Sequence, residues 1–197
     1  MNSLRIAVIA AVTVASSAFA QFRYDAASGE CRNAAGETGL NTERGQCADL
    51  RNAELEGVRF ESMDLRGARF DGANLKGASF LQADLAGASF KGSNLSKATL
   101  RGAKLNGAKF ESARLTGAHL EYARLDGSIF TDADLRNACL YKARFDGADV
   151  RGARFSQERS LVDHATWTAA IADVNTLPFS AAELASKNVT LNQVASR

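Results

Sequence analysis

A period of five residues runs through more than half of the chain. From Ala48 to Phe155 every fifth residue is Leu or Phe, with Val150 as the exception, which gives 22 consecutive units. We call this Leu or Phe the centre of its unit. The residue two before the centre is Ala in 18 units, and the residue directly before it is polar in nearly every unit.

This period fits neither an α-helix nor a straight strand. On a helix with 3.6 residues per turn the centres would spiral around the axis, and along a strand they would alternate between opposite faces. The chain must therefore turn about once in five residues, and four turns close a coil of about twenty residues. Twelve of the 16 glycines lie two residues after a centre, where a tight bend favours a residue without Cβ. We call this position the corner.

Several units match a known consensus. Residues 73–77 (ANLKG), 83–87 (ADLAG) and 133–137 (ADLRN) resemble the A(D/N)LXX pattern of the pentapeptide-repeat proteins. The resemblance covers residues 48–155 and implies an all-β fold, with residues 48–157 forming a right-handed quadrilateral β-helix of about 5.5 coils. Many later units depart from the consensus because Arg or Lys stands before the centre, which changes the surface and leaves the core pattern intact.

The twenty-residue coil predicts which side chains stack on each other. One side carries a core aromatic column made of Phe70, Phe90, Phe110 and Phe130, in which offset ring contacts are favourable. Another side has Gly at its corners throughout. This side is either smooth enough to admit a close partner or simply built from the residue that suits the turn. Its glycines are residues 67, 87, 107, 127 and 147.

The N-terminus has the pattern of a secretory signal peptide. Arg5 precedes an apolar run over residues 6–14, and Ala18-Phe19-Ala20 forms a small-residue cleavage site before Gln21. The alternative is a buried N-terminal helix. With residues 1–20 as a signal peptide, the mature protein is expected to be periplasmic or secreted, without stable membrane insertion after cleavage.

The cysteines are interpreted in the light of that export. Cys31 and Cys47 lie within the predicted N-terminal cap, residues 21–47, and thiols of exported proteins tend to be oxidised. We therefore expect a Cys31–Cys47 disulfide that staples the cap. The alternative, a two-thiolate metal site, has neither a nearby His nor a C-x-x-C spacing. Cys139 is an odd thiol, available for an intermolecular bond or simply a small surface residue.

After Gln157 the period fails, and residues 158–197 are predicted to form a helical C-terminal cap. Residues 160–174 suit a short helix, although Ala165 and Trp167 could also form one last degenerate unit. Ser180 and Glu183 have the spacing of a capping box at the start of a second helix, which would extend to about Lys187. The resemblance implies that such a C-terminal cap can serve as a homodimer contact.

No motif of the sequence indicates enzymatic chemistry. His119 lies in an outward position, and His164 has only Asp163 beside it, without a placed nucleophile. The chain lacks P-loop, G-x-G-x-x-G, H-E-x-x-H and G-x-S-x-G motifs. We therefore expect no catalytic residue, no metal, no cofactor and no enzymatic activity.

Charge also limits the alternatives. Some proteins of the resembled family mimic DNA and bind type II topoisomerases through an acidic rod. Residues 48–157 instead carry 14 acidic and 17 basic residues with mixed signs, which disfavours DNA mimicry and is too little basic excess for nucleic-acid binding. The signs alternate between coils in one series, which predicts a ladder of opposite charges. The series is Arg51, Asp71, Lys91 and Glu111.

A rigid exported scaffold that binds an unidentified protein remains the favoured function, with the DNA-mimic inhibitor as its alternative. Leu81 and Tyr141 are predicted to point outward on one side, with Tyr122 near it. They form the candidate interaction patch, although isolated apolar surface residues are also common.

Overall fold

The computed structural model describes residues 23–25, 30–32, 46–158, 162, 164–173 and 176–192. The predicted signal peptide and most of the predicted N-terminal cap lie outside these residues. Within them the antiparallel strands are β1 (Arg23–Asp25) and β2 (Glu30–Arg32). The parallel strands are β3 (Asp134–Leu135), β4 (Arg154–Phe155), β5 (Ile171–Asp173) and β6 (Thr190–Asn192), and the helix is α1 (Ala181–Ser186).

Between residues 46 and 158 the chain pairs with itself at intervals of twenty residues. The residue before each centre forms a parallel bridge with its equivalent one coil later, as Asp49 does with Arg69 and Glu54 with Asn74. Successive bridges are five residues apart and form four columns, so each coil has four sides. We number the sides by their first centres, which are Leu50, Leu55, Phe60 and Leu65.

Backbone hydrogen bonding explains the fixed length of the unit. The N–H of the centre Leu55 donates to the next coil at Asn74 O, at 2.8 Å, and the N–H of the corner Gly57 donates to Lys76 O, at 2.9 Å. The N–H of Val58 closes the turn onto Leu55 O, at 3.2 Å. The N–H of the residue after the centre has no backbone acceptor in this pattern. Buried or half-buried N–H groups need a hydrogen-bond partner.

An Asp or Asn before the centre supplies that partner. Asn94 Oδ1 accepts a hydrogen bond from the backbone N–H of Ser96 at 3.2 Å, and Asp134 Oδ1 accepts one from the N–H of Arg136 at 3.2 Å. Both are short-range side-chain bonds of the kind that Asx residues form in turns. The polar residue in the A(D/N)L pattern is therefore part of the turn as well as of the wetted surface.

Every corner from Asn52 to Gly152 has a left-handed backbone conformation. The twelve corner glycines have φ between 63° and 70°. The remaining corners adopt nearly the same φ although they carry side chains, at a conformational cost for each. In residues 48–157 they are Asn52, Ser62, Gln82, Lys97, Ser112, Tyr122, Asp132, Asn137 and Lys142.

The interior holds the centres and the small residues. The first side contains the predicted aromatic column, in which neighbouring rings are stacked at centroid distances of 4.9, 5.0 and 4.5 Å, with interplanar angles of 3° to 7°. On the opposite third side, Phe60 and Phe80 stack at 4.9 Å, and Phe80 meets Phe70 edge to face at 5.6 Å. The rings of the first coils therefore pack across the interior as well as along it.

The coil continues beyond Gln157 with a shift of register. Arg144 pairs with Thr166 and Asp149 with Ile171, so these rungs join residues 22 positions apart. Trp167 occupies the place of a centre and is buried, stacked on Phe145 at 4.4 Å. The interpretation of residues 165 and 167 as a degenerate unit is confirmed. A helix over residues 160–174 is wrong, because residues 171–173 form strand β5.

The predicted capping box is confirmed. The Ser180 hydroxyl accepts from the N–H of Glu183 at 3.3 Å, and Glu183 Oε2 accepts from the N–H of Ser180 at 2.8 Å. Helix α1 buries Leu184 and returns the chain to β6, which pairs in parallel with β5. The described residues after 157 thus combine coil strands with one short helix.

Candidate protein-interaction surface

Two tyrosines form the exposed apolar contact on the described surface. Tyr122 is 46% exposed and Tyr141 is 39% exposed. Their ring centroids lie 5.6 Å apart with an interplanar angle of 81°, so one ring presents its edge to the other. Two of the three residues of the predicted patch therefore lie together.

The coil places these rings side by side. Tyr141 directly follows a centre of the third side, and Tyr122 is the corner residue one coil earlier. The Tyr122 N–H donates to Tyr141 O at 2.9 Å. Tyr122 has a φ of 60°, which is uncommon for a bulky residue and unfavourable by about 1–2 kcal/mol. Tyr122 therefore occupies, at a local conformational cost, a corner position that is Gly in most units.

Leu81 is separate from the tyrosines. It lies in the same column as Tyr141, after a centre of the third side, but Arg101 and Glu121 occupy the two coils between them. At about 4.8 Å per coil this separation is roughly 14 Å. Leu81 is also only half-exposed. The structure does not bring it into contact with the ring pair.

Three further side chains surround the rings. Arg101 Cζ lies 5.9 Å from the Tyr122 centroid, and Lys142 Nζ lies 5.8 Å from Tyr122 and 5.3 Å from Tyr141. The His164 ring lies 5.1 Å from that of Tyr141. The sequence prediction missed these residues, although the twenty-residue spacing between Tyr122 and Lys142 was a usable signal. We call Arg101, Tyr122, Tyr141, Lys142 and His164 the tyrosine patch.

The nearby thiol is not set up as a nucleophile. Burial, with the neighbouring Glu121 carboxylate, raises the pKa of Cys139, so this free thiol is protonated at neutral pH and weakly reactive. Burial opposes ionisation of Glu121, yet backbone and side-chain hydrogen bonds, including one with His119, lower its pKa overall. His119 Nδ1 lies 3.2 Å from Glu121 Oε1, so the carboxylate is engaged with that ring.

Ion pairs of the described surface form mainly within units. Asp and Arg on either side of a centre are bidentate partners, as in Asp64 and Arg66, where Arg Nε and one terminal nitrogen lie 2.9 and 2.8 Å from the two carboxylate oxygens. This hydrogen bonding lowers the pKa of Asp64 to about 2, against the effect of burial. Equivalent pairs follow the same D-x-R spacing, which the sequence displays at 49–51, 134–136 and 149–151.

The predicted charge ladder is only partly formed. Lys91 and Glu111 make a salt bridge between coils at 2.7 Å. Arg51 and Asp71 instead pair with their own neighbours Asp49 and Arg69, each at 2.6 Å. An oppositely charged residue two positions away in the same unit therefore determines these ion pairs more than the alternation of sign between coils does.

Within the described ranges no group of three or more His, Cys, Asp or Glu side chains could hold a metal ion. The helix that these ranges contain is too short and too polar to cross a bilayer. The Gly corners of the fourth side all have positive φ, between 66° and 70°. This conformation accounts for their glycines by the turn alone, and the other interpretation, a smooth docking side, stays a prediction.

Repeated five-residue units, parallel pairing at twenty-residue intervals and an interior of Ala, Leu and Phe define a repeat solenoid of the β-helix class. The family model for pentapeptide repeats matches eight copies over residues 46–82, 78–117, 108–147 and 118–157. The chain therefore belongs to the pentapeptide-repeat family, whose members fold as right-handed quadrilateral β-helices and are in general non-enzymatic.

Solved structures of the same family resemble the chain. The pentapeptide repeat protein Rfr23 of the cyanobacterium Cyanothece 51142 is 22% identical, with a TM-score of 0.43 over 60% of this chain and 90% of that one. One from the Arabidopsis thaliana thylakoid lumen is 24% identical, with a TM-score of 0.36 over 75% and 85%. Full-length QnrB1, a plasmid-mediated fluoroquinolone resistance protein, is 18% identical, with a TM-score of 0.39 over 78% and 86%. No curated protein matches the chain.

Proposed function

We propose that the protein is an exported, non-enzymatic scaffold whose protein partner binds the tyrosine patch. The exposed ring pair of Tyr122 and Tyr141 carries this proposal. Tyrosine and arginine are enriched where binding energy concentrates in protein interfaces. The patch lies on a closely bonded coil, so little ordering of the backbone would accompany binding.

Export follows from the signal-peptide pattern of residues 1–20. An oxidising compartment would favour the proposed Cys31–Cys47 staple. In support, Cys47 is buried and disulfide-bonded, whereas Cys139 is free. We expect thiol titration of the denatured, unreduced mature protein to find one thiol per chain. Three titratable thiols would contradict the staple.

Affinity capture from the extracytoplasmic fraction tests the scaffold function. The mature protein is the bait, beside a variant with Tyr122→Ser and Tyr141→Ser. Gln82→Ser is the matched control, because Gln82 is a corner of the same column with a φ of 57° and lies two coils from Tyr122. A Leu81→Ser bait tests whether Leu81 belongs to the binding surface.

We expect a specific partner to be lost from the double tyrosine variant and retained by the Gln82 variant. Equal capture by all baits would contradict binding at the tyrosine patch. Self-capture that is independent of both tyrosines would indicate the homodimer contact through the C-terminal segment. Inhibition of topoisomerase supercoiling by the purified protein would favour the DNA-mimic alternative.

A further inference from the structure

The tyrosine patch contains two cations that its own surface does not neutralise. Arg101 and Lys142 form no ion pair with the residues that the structure describes; their closest recorded partners are the tyrosine rings. This contrasts with Arg66, Arg136 and Arg151, each of which has a carboxylate within 2.8 Å. The positive charge at the patch is thus available to a partner.

The nearest acidic side chain in the same column does not cancel this charge directly. Glu121 lies one coil from both Arg101 and Tyr141, but its side chain is only 20% exposed and is directed to His119. The other titratable group at the rings is His164, against Tyr141. An incoming anion would therefore meet Arg101 and Lys142 first.

The geometry of the two rings disfavours a planar ligand that stacks on both of them. The two tyrosines are nearly perpendicular, so they form a notch with one ring face and one ring edge. A flat platform for successive sugar rings or bases would need rings in one plane. Lys142 Nζ is almost equally distant from both centroids, so a carboxylate bound to this ammonium would lie beside the ring pair.

We infer that the tyrosine patch binds an acidic side chain, Asp or Glu, presented by a loop or tail of the protein partner. The inference rests on the proposed scaffold function and names the chemistry of its partner. Lys142 and Arg101 supply the charge, and the tyrosine rings pack against the aliphatic part of the acidic residue and its neighbours. The two cations of the patch are few beside the roughly 6–10 phosphate contacts of a strongly salt-dependent DNA binder, which disfavours nucleic acid.

Fluorescence anisotropy with labelled peptides tests the inference. The probes are a short peptide of Glu, Gly and Leu residues, its counterpart with Gln in place of Glu, and its counterpart with Lys. We expect the Glu peptide to bind about tenfold more tightly than the Gln peptide, and Lys142→Gln or Arg101→Gln to weaken it about three- to tenfold. Salt above about 150 mM should weaken it further.

Lys97→Gln is the matched control for Lys142→Gln. Both lysines are corner residues with similar φ, 58° and 55°, and neither forms an ion pair within the described part of the chain, but Lys97 has no tyrosine beside it. We expect Lys97→Gln to bind the Glu peptide as the unaltered protein does. Tyr122→Phe should retain binding and Tyr122→Ser should lose it, while circular dichroism verifies the fold of each variant.

Several outcomes would overturn the inference. Equal affinity for the Glu and Gln peptides, no binding of the Glu peptide, or an equal effect of Lys97→Gln would each do so. Tighter binding of polygalacturonate or of an oligothymidylate, lost in the same variants, would replace the acidic peptide by a glycan or a nucleic acid. If capture still depends on Tyr122 and Tyr141 when the Glu peptide fails, the scaffold function stands and only the acidic chemistry is wrong.

Discussion

At the scale of single residues, the corner decides what the coil tolerates. The glycines at corners were predictable, because a turn in every unit favours residues without Cβ. The same φ at Lys97, Tyr122 and Lys142 was not, because it is imposed by the pairing of neighbouring coils and not by residue type. The proposed function of the tyrosine patch therefore depends in part on residues that local propensity disfavours at a corner.

A substitution at Gly107 measures the conformational cost of the left-handed corner by itself. An added Cβ at Gly107 would meet no heavy atom within 4 Å, so a substitution there tests φ alone. We expect Gly107→Val to lower the free energy of unfolding by about 1–2 kcal/mol, and Gly107→Asn to change it much less, since Asn tolerates the left-handed region. Urea unfolding measures both, and equal losses would contradict the conformational explanation.

Asp134 should make stability depend on pH. Hydrogen bonding from Arg136 is the largest cause that lowers its pKa below 3.8, burial opposes the shift, and Arg154 adds to the lowering. A depressed carboxylate pKa in the folded state contributes stability above the unfolded pKa, and that contribution is lost as the pH falls through the folded value. Acid should therefore remove stability that Asp134 provides at neutral pH.

We expect Asp134→Asn to lower the free energy of unfolding by about 1–2 kcal/mol at neutral pH. As the pH falls below 3.8 its difference from the unaltered protein should shrink. Asp132→Asn is the control, because Asp132 is exposed and forms no salt bridge within the described residues. Urea unfolding across this pH range measures the effect, and a pH-independent difference would contradict it.

At the scale of structural elements, stacking organises the interior. The column on the first side was predictable from a twenty-residue count alone, because four Phe residues recur in one register. Its edge-to-face contacts with the third side, such as Phe70 with Phe80, were not predictable. They depend on the distance across the coil, which the period does not give.

A double-mutant cycle measures the column. Phe110 and Phe130 stack at 4.5 Å, so Phe110→Leu and Phe130→Leu should show a coupling of about 0.5–1.5 kcal/mol. Phe110 and Phe70 are two coils apart and should be additive to within about 0.5 kcal/mol. Denaturant unfolding supplies the free energies. Additivity in both pairs would mean that the rings contribute by burial alone.

At the scale of the whole molecule, the period predicted the four-sided coil between residues 48 and 157, whereas of its continuation the sequence indicated only the degenerate unit at Ala165 and Trp167. The register shift before Thr166 hides the later units from a search with period five, while Trp167 and Ala172 still satisfy the spatial requirement for a buried centre. Only part of the candidate site could be predicted from the sequence. Tyr122 and Tyr141 could be predicted from their positions in the repeat, whereas Arg101, Lys142 and His164 are found only from the contacts between coils.

Trp167 should stabilise the end of the coil by packing. Its ring stacks on Phe145 and meets Phe155 edge to face at 5.5 Å, while its Nε1 has no hydrogen-bond partner among the described residues. Trp167→Phe should therefore cost much less than Trp167→Ala, for which we expect about 3–5 kcal/mol. Hydrogen exchange should show the loss first around residues 166–173. Equal losses in both variants would contradict packing as the cause.

The spacing of the rungs makes chain length discrete. Removal of residues 108–127 would take away one whole coil and stack Phe130 on Phe90, so each side of the next coil would still stack on the same side of the coil before it. Removal of only residues 108–112 would rotate all later sides by a quarter turn and scatter the aromatic column, although inside and outside would be unchanged. A molecule of this design can lengthen or shorten, with its core packing unchanged, only by whole coils of about 4.8 Å each.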